Sequence, residues 1–339
     1  MIGVIVINFR RADLTLECLA SLYGNAGAPF HLFLVDNAAD AGSRKALGRF
    51  AGAHDNVTLI VNDDNRGFTG AVNQALDPLL ADPRFDAVAL LNNDAVIEDA
   101  WLSRMEQRLD PAQGIEMVAA RMMDFHAPDR VDSLGIVLYK SGIASNRKDA
   151  SEPLLGPCGG AALYSTRLLK KVTAVSGYCL DPDFFCYAED TDLALRARAL
   201  GYSCAFAEDA VVRHRGSASS GGGYNELVAY YGLRNSLFTM AKNLPAEFFL
   251  RHALSIFTMQ TAVVLKYLIK AKPRLVWRVY RDFGLGLERV LRQRARMRAQ
   301  PNAKPWNWKC IVSRRFYDGA YVKQTLRSLH RRDIRPAKP

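Results

Sequence analysis

Four short apolar runs open this chain: Gly3–Asn8 (GVIVIN), Leu32–Asp36 (LFLVD), Val57–Asn62 (VTLIVN) and Ala87–Asn92 (AVALLN). Between them lie three segments with helical spacing, Leu14–Tyr23, Ser43–Phe50 and Gly70–Leu80. Continuous apolar runs of this length are strands buried on both faces, and strands separated by helices pair in parallel. Right-handed crossovers then build a doubly wound α/β layer with a mostly parallel sheet. Further on, the spacing predicts a helix near Trp101–Leu109, strands near Glu116–Met123 and Ala161–Ser165, and a helix over Asp192–Leu200 ended by Gly201. Ser217–Gly223 (SASSGGG) reads as a flexible loop.

Hydrophobic residues make up 49% and charged residues 23% of the 339, which excludes a disordered or collagen-like chain. The six cysteines show no CxxC pair and no zinc spacing, so they are expected to be reduced thiols in a cytosolic compartment. Met1 leads directly into Ile2–Ile7 without a basic n-region, which argues against a signal peptide. No 18 consecutive apolar residues occur, so no ordinary transmembrane helix is expected.

Charge divides the chain near residue 240. Residues 1–240 carry 22 Lys and Arg against 29 Asp and Glu, whereas 241–339 carry 23 against 5. We therefore expect a catalytic domain over 1–240 and a helical, basic C-terminal region over 241–339 that meets an anionic surface. The apolar run Ala253–Leu265 has 13 residues. It spans roughly 20 Å against the roughly 30 Å of a bilayer core. After it, Arg274, Arg278, Arg281, Arg289, Arg292 and Arg296 fall on one helical face. Leu275, Val276, Val279, Phe283, Leu287, Val290 and Leu291 fall on another, with Trp277, Trp306 and Trp308 nearby. This is the composition of a helix lying in a membrane interface. A basic helix packed on the protein's own core has the same pattern.

Open α/β sheets bind ligands at the carboxyl ends of their strands, and four polar clusters fall there. The first pairs Asn8-Phe9-Arg10 with Asp36-Asn37, where Asp36 can accept from a ribose hydroxyl or a base N–H, or cap a turn. The second is Asn65–Asn73 (NRGFTGAVN), whose glycines allow close backbone approach to a ligand or simply a loop-to-helix entry. The third is Asn92-Asn93-Asp94, where one carboxylate with substrate phosphates can hold Mg²⁺, or cap the next helix. The fourth is Glu189-Asp190-Thr191-Asp192, followed by His214. Adjacent carboxylates raise one another's pKa and favour a base, while Asp192 with Arg196 also makes an i,i+4 ion pair.

In this order the four clusters resemble the inverting glycosyltransferases of family 2, which have the GT-A fold; the resemblance covers residues 1–240. It implies that Asn92-Asn93-Asp94 stands for the DxD-type metal motif, with Asn92 replacing the first Asp. It implies Mg²⁺ or Mn²⁺ on Asp94 and His214, and Asp190 as the catalytic base with Glu189 beside it. NRGFTGAVN and Tyr230–Asn235 (YYGLRN) are similar to the rhamnosyltransferase branch. The implied donor is therefore dTDP-rhamnose, with a UDP-hexose or UDP-galactofuranose as the alternative. Asn8, Arg10, Asp36, Asn65, Gly67, Asn73, Asn92 and Asn93 would hold it. Gly159, Gly160, Arg234 and Asn235 are placed near the acceptor or the diphosphate.

The resemblance and the basic tail together imply a lipid-linked or oligosaccharide acceptor in cell-surface polysaccharide synthesis, such as O-antigen. They imply a cytoplasmic enzyme peripheral to the inner face of the membrane, and leave a homo-oligomer open. A sugar-1-phosphate nucleotidyltransferase would need a glycine-rich loop after strand one, where this chain has Asn8-Phe9-Arg10-Arg11-Ala12-Asp13. A nucleic-acid-binding protein would use the basic tail but leave the carboxylate clusters without a role. Nucleic acid is therefore not the expected partner.

Overall fold

A computed structural model of the protein describes residues 1–216, 225–300 and 307–319. The first third alternates β1 (Ile2–Asn8), α1 (Ala12–Asn25), β2 (Phe30–Asn37), α2 (Ala41–Gly52), β3 (Val57–Asn62), α3 (Gly67–Ala81) and β4 (Ala87–Asn92). The middle holds β5 (Ala95–Ile97), α4 (Trp101–Glu106), β6 (Ile115–Asp124), β7 (Val131–Ser133), β8 (Ile136–Leu138), β9 (Ala144–Asn146), β10 (Ala161–Ser165), α5 (Thr166–Ser176), α6 (Glu189–Ala199) and β11 (Ser203–His214). Three long helices follow: α7 (Glu226–Asn243), α8 (Ala246–Ile269) and α9 (Pro273–Arg298). The expected loop at 217–223 and Trp306 lie outside the described residues.

The main sheet runs β3-β2-β1-β4-β10-β6-β11-β5, with β7 paired to β6. β3, β2, β1 and β4 are parallel, β10 is antiparallel to both its neighbours, and β6 and β11 are parallel again. This is the doubly wound, mostly parallel sheet that the apolar runs predict. Along β1, Val4 and Val6 enter one core with Leu19, Leu22, Leu32 and Leu34, while Ile5 enters the other with Phe33, Leu79 and Tyr164. Successive strand side chains point to opposite faces, and both faces are covered, so the strands read as unbroken apolar runs.

Register aligns the polar strand ends. Asn8 pairs with Asp36, Asn37 with Asn62, and Ile7 with Asn92, so these side chains share one edge of the sheet. His214, the last residue of β11, reaches the same edge by pairing with Ala95 of β5.

The C-terminal helices differ from expectation in two ways. The division at 240/241 falls within α7, and Lys242, just beyond it, is fully buried against the preceding domain. The apolar face of α9 is likewise occupied, because Leu275, Val279 and Val290 are buried inside the protein. That face is not available to a membrane, and its pattern reflects packing. Trp308 is buried on Phe248, while Trp277 stays exposed. Helix α8 is longer than its apolar run, at 24 residues, or about 36 Å. Arg251 and His252 precede the run and Lys266 follows it, and the helix kinks at His252, whose φ of −116° and ψ of 18° are not helical. Among the described residues it is the one helix long and apolar enough to cross a membrane by length and composition.

Candidate active site

Beneath the carboxyl edge lies a buried polar hub. Asn8 donates to Asp36 at 2.8 Å and accepts from the Thr15 hydroxyl at 2.7 Å. Ser43 donates to the other Asp36 oxygen, and Asn93 donates to Thr15. Asn8 and Asp36 are fully buried and Asn93 nearly so, and these bonds keep each polar group paired, as burial requires. The sequence expectation put all three against a nucleotide, whereas here they brace the site floor. Arg10, at φ 55° just past β1, and Asn65 are the exposed members of that expected set. Asn65 accepts from the Asn37 amide at 2.9 Å and from Gly67 N–H at 2.8 Å.

The Asn92-Asn93-Asp94 turn sits between β4 and β5. His214 Nε2 is 3.2 Å from an Asp94 oxygen and 3.3 Å from the Asn92 amide. Its Nδ1 lies 2.7 Å from Asp132 on β7. Burial opposes charge on the imidazole, but the bonds to Asp132 and Asp94 outweigh it and raise the pKa to about 9. Asp94 and His214 thus converge as the metal motif implies. Among the described residues no group of three His, Cys, Asp or Glu forms a full cage. One carboxylate and one imidazole fit a divalent cation that takes its remaining ligands from water and substrate phosphates.

The acidic motif begins α6. Asp190 accepts from Gly159 N–H at 3.0 Å and from Thr191 N–H at 2.6 Å. The next residue, Gly160, accepts at its carbonyl from Asn92 N–H at 2.9 Å, and a Cβ on Gly160 would meet the Asn92 amide and Met122. The Gly159-Gly160 pair therefore joins the acidic motif to the metal motif through backbone. Burial, then the charge of Asp190, pushes the Glu189 carboxyl well above the ordinary range. Burial also raises Asp190, against the pull of its Gly159 and Thr191 hydrogen bonds. Asp190 lines a cavity of about 240 Å³ with Thr191, Ser145, Asn146, Ser236 and Met240. Of the two carboxyls, Asp190 is the one that faces this space.

The loop before α6 is strained. Phe185, Tyr187 and Ala188 have φ of 63°, 70° and 65°, a region that non-glycine residues avoid. The buried amide of Asn235 donates to the carbonyls of Phe184, Cys186 and Tyr187, and Arg234 donates to that of Asp183. Arg234 and Asn235 thus hold the loop that presents the carboxylates, rather than standing beside a diphosphate. Gly67 has φ 71°, and a Cβ there would come within 2.5 Å of the Phe185 ring and carbonyl. Its missing side chain admits Phe185. Asn73 pairs with the backbone of Leu180 in both directions, at 2.8 and 3.0 Å, and is likewise part of the frame.

Behind this loop, Lys242 of α7 bonds Asp181 at 2.7 Å and Asp192 at 2.8 Å, all three fully buried. Arg196 completes the set at 2.9 Å from Asp192, as its i,i+4 spacing predicts. Arg289 of α9 reaches Asp181 and Asp183. The six cysteines are free, and burial pushes the thiols of Cys158, Cys186 and Cys204 up to about 12, which leaves them unreactive. Asp132, Thr15, Ser145 and Asn146 were not picked out from sequence. They belong to no motif in the sequence, and only the folded topology carries them to the site.

Comparison with known proteins agrees with this geometry. The chain is 28% identical over 233 residues to the uncharacterized protein y4gI of Sinorhizobium fredii, and 22% identical over 221 residues to glycosyltransferase AglE of Haloferax volcanii. Each match covers 63% of this chain, but 24% of y4gI and 66% of AglE, less than two thirds of either relative. Among solved structures, the mannosyltransferase PcManGT of Pyrobaculum calidifontis, determined with GDP-Man and Mn²⁺, superposes with a TM-score of 0.52. That match has 18% identity and covers 97% of this chain and 86% of that one. GalNAc-T7, determined with UDP, GalNAc and Mn²⁺, gives 0.54 at 10% identity over 71% of this chain and 48% of that one. Residues 1–349 of TarS from S. aureus give 0.52 at 15% identity over 87% of each chain. These likenesses show the GT-A fold. The family model described as "Glycosyltransferase like family 2" matches residues 1–229, and with its acidic, metal-type and glycine motifs gathered at one sheet edge the chain belongs to that family.

Proposed function

We propose that the protein is an inverting glycosyltransferase that moves a sugar from a nucleoside-diphosphate donor to an acceptor hydroxyl. The observation that carries this reading is the two-glycine link between Asp190 and the Asn92–Asp94 turn. It sets a base with a raised pKa, facing an open cavity, beside a carboxylate–imidazole pair suited to a diphosphate-bound cation.

In this reading Asp190 takes the proton of an acceptor hydroxyl in the cavity. The oxygen attacks the anomeric carbon as the sugar–phosphate bond breaks, and the bonding electrons leave with the nucleoside diphosphate. One displacement inverts the anomeric configuration. A base whose pKa is raised toward the working pH is better matched to this task. Burial and the neighbouring Asp190 charge push Glu189 toward its neutral form. Asp94 and His214 would hold a divalent cation, Mn²⁺ or Mg²⁺, which when bound supplies Lewis-acid stabilisation of the departing diphosphate. Arg10 and Asn65, exposed at the strand edge, are the residues free to reach the nucleotide.

For the donor we propose dTDP-rhamnose, supported by the likeness of NRGFTGAVN and YYGLRN to the rhamnosyl branch. Both segments have frame roles in the fold, so a nucleotide panel is the decisive test. For the acceptor we propose a lipid-linked saccharide at the cytoplasmic face of the membrane. Thermal shifts with dTDP, UDP, GDP and CDP, each with and without Mn²⁺, test the donor. Stabilisation by dTDP that needs Mn²⁺ is expected, by mass action on the native state. A response to UDP or GDP alone overturns the rhamnosyl assignment, and no response to any nucleotide overturns the transferase reading. The anomeric configuration of the product, read by NMR, tests inversion.

A further inference from the structure

Helix α8 has two apolar faces, and only one is used. Phe248, Met259 and Tyr267 are buried in the protein. Leu250, Leu254, Phe257, Leu265, Leu268 and Ile269 form a second stripe at helical spacing along the opposite face, and Leu250, Leu254 and Phe257 are 82%, 79% and 69% exposed. Soluble surfaces rarely carry so continuous an apolar strip, and such strips mark interaction sites.

The geometry points to this stripe as a bilayer-docking surface on which α8 lies flat in one leaflet, although its length and composition also suit a membrane span. Both ends of the helix are tied to the same body. At its start, Glu247 pairs with Lys309 at 2.9 Å and accepts from Trp308. Past its end, Lys272 reaches Glu226 at the beginning of α7 at 3.5 Å. Helix α9 then runs back, where Tyr280 donates to Gln260 and Arg294 donates to the carbonyl of Ala241 near the end of α7. A helix whose two ends and inner face stay on one body cannot cross a bilayer without losing all three attachments.

Charge selects the occupant. Along α8 and the turn after it, Arg251, Lys266, Lys270 and Lys272 stand against Glu247 alone. A second copy of this face would set like charges together, whereas anionic headgroups complement it. The inner face of α8 adjoins the reaction site. Ser236 and Met240 line the Asp190 cavity and also an apolar crevice shared with Gln260 and Val263 of α8. With α8 docked by its outer stripe, the cavity lies one helix away from the bilayer surface. This deepens the membrane part of the proposed function and needs nothing from the donor chemistry.

The test uses the full chain with vesicles of phosphatidylcholine, with and without phosphatidylglycerol. Flotation with the anionic vesicles is expected for the wild type. Leu254→Glu and Phe257→Glu, both on exposed positions, are each expected to weaken it about tenfold or more. Topology is read in a Cys310→Ser background by adding maleimide-polyethylene glycol outside sealed vesicles carrying Arg251→Cys or Lys270→Cys, exposed positions at either end that lie outside the apolar stripe. Modification at both ends supports the flat helix, and modification at one end only overturns it in favour of a span. Absent vesicle binding, binding unaffected by the two Glu variants, or a dimer that those variants dissolve would each overturn the proposal. The nucleotide thermal shift of the same variants stays at the wild-type value if they fold. Its absence in the wild type would count against the donor reading alone.

Discussion

His214 and Asp132 face each other across 2.7 Å, Nδ1 to carboxylate, from strands 82 residues apart in the chain. The carboxylate fixes the proton on Nδ1 and turns Nε2, the nitrogen that can bind a cation, toward Asp94. Asp132→Asn removes that hold. Mn²⁺ affinity, measured by calorimetry with nucleotide present, is expected to fall about 10–100-fold. Unchanged affinity would mean that Asp132 only fills space.

Asp190→Asn keeps the volume but cannot take a proton, and its single amide oxygen keeps only one of the bonds from Gly159 and Thr191, which go to different carboxylate oxygens. Transfer is expected to fall about 10²–10⁴-fold, the usual worth of a general base. Nucleotide-induced stabilisation should be unchanged. Loss of nucleotide binding in this variant would move Asp190 from catalysis to donor binding.

Glu189 connects the site to pH. Its pKa is raised in the folded protein, so the folded state holds this proton more tightly than the unfolded chain does. Its contribution to stability is full below the ordinary carboxylate pKa and is lost as pH rises through the folded value. Wild-type stability should therefore decline with rising pH across that interval, and Glu189→Gln should flatten the decline and be the more stable protein at its upper end. Denaturant titrations at several pH values check this. A parallel pH profile in the two proteins would refute it.

Asn235→Ala leaves three carbonyls of a strained loop without their shared donor. At about 1–3 kcal/mol per buried group left unpaired, a loss of several kcal/mol is expected, less whatever water recovers. Turnover should fall while nucleotide binding stays, because the loop presents the carboxylates and not the strand-edge residues. A variant with wild-type turnover would show that the loop holds its shape unaided.

The sheet was legible because each core strand announces itself locally. Val57–Asn62, Ala87–Asn92 and Ala161–Ser165 appear at the bounds the apolar runs suggest. The order of Asp94, Asp190 and His214 along the chain singles them out, and the fold brings Asp94 to His214 and ties Asp190 to their turn through Gly159-Gly160. Less legible were roles decided by what a side chain meets. Gly67 looked like a ligand cradle, but its open space is filled by Phe185. Asn73 and Asn235 looked like binding residues and bond loop backbone instead. The arginine stripe of α9 looked like a membrane face, yet its apolar side is spent on α7 and the core, leaving α8 to present the exposed stripe. Amphipathic periodicity states that a face is apolar, not what covers it.

The clamp that Asn235 places on residues 184–187 also sets an order of events. Ribosomes deliver the sheet and both carboxylates well before α7, and domains begin to fold as they emerge. Until α7 docks, Phe185, Tyr187 and Ala188 lack the Asn235 amide, and Thr69 N–H on the Phe185 carbonyl is the bond that reaches them from the sheet domain. The nascent chain therefore carries Asp94, Asp190 and His214 before the loop is clamped. On the proposed function, turnover awaits the closing of the C-terminal helices over the loop.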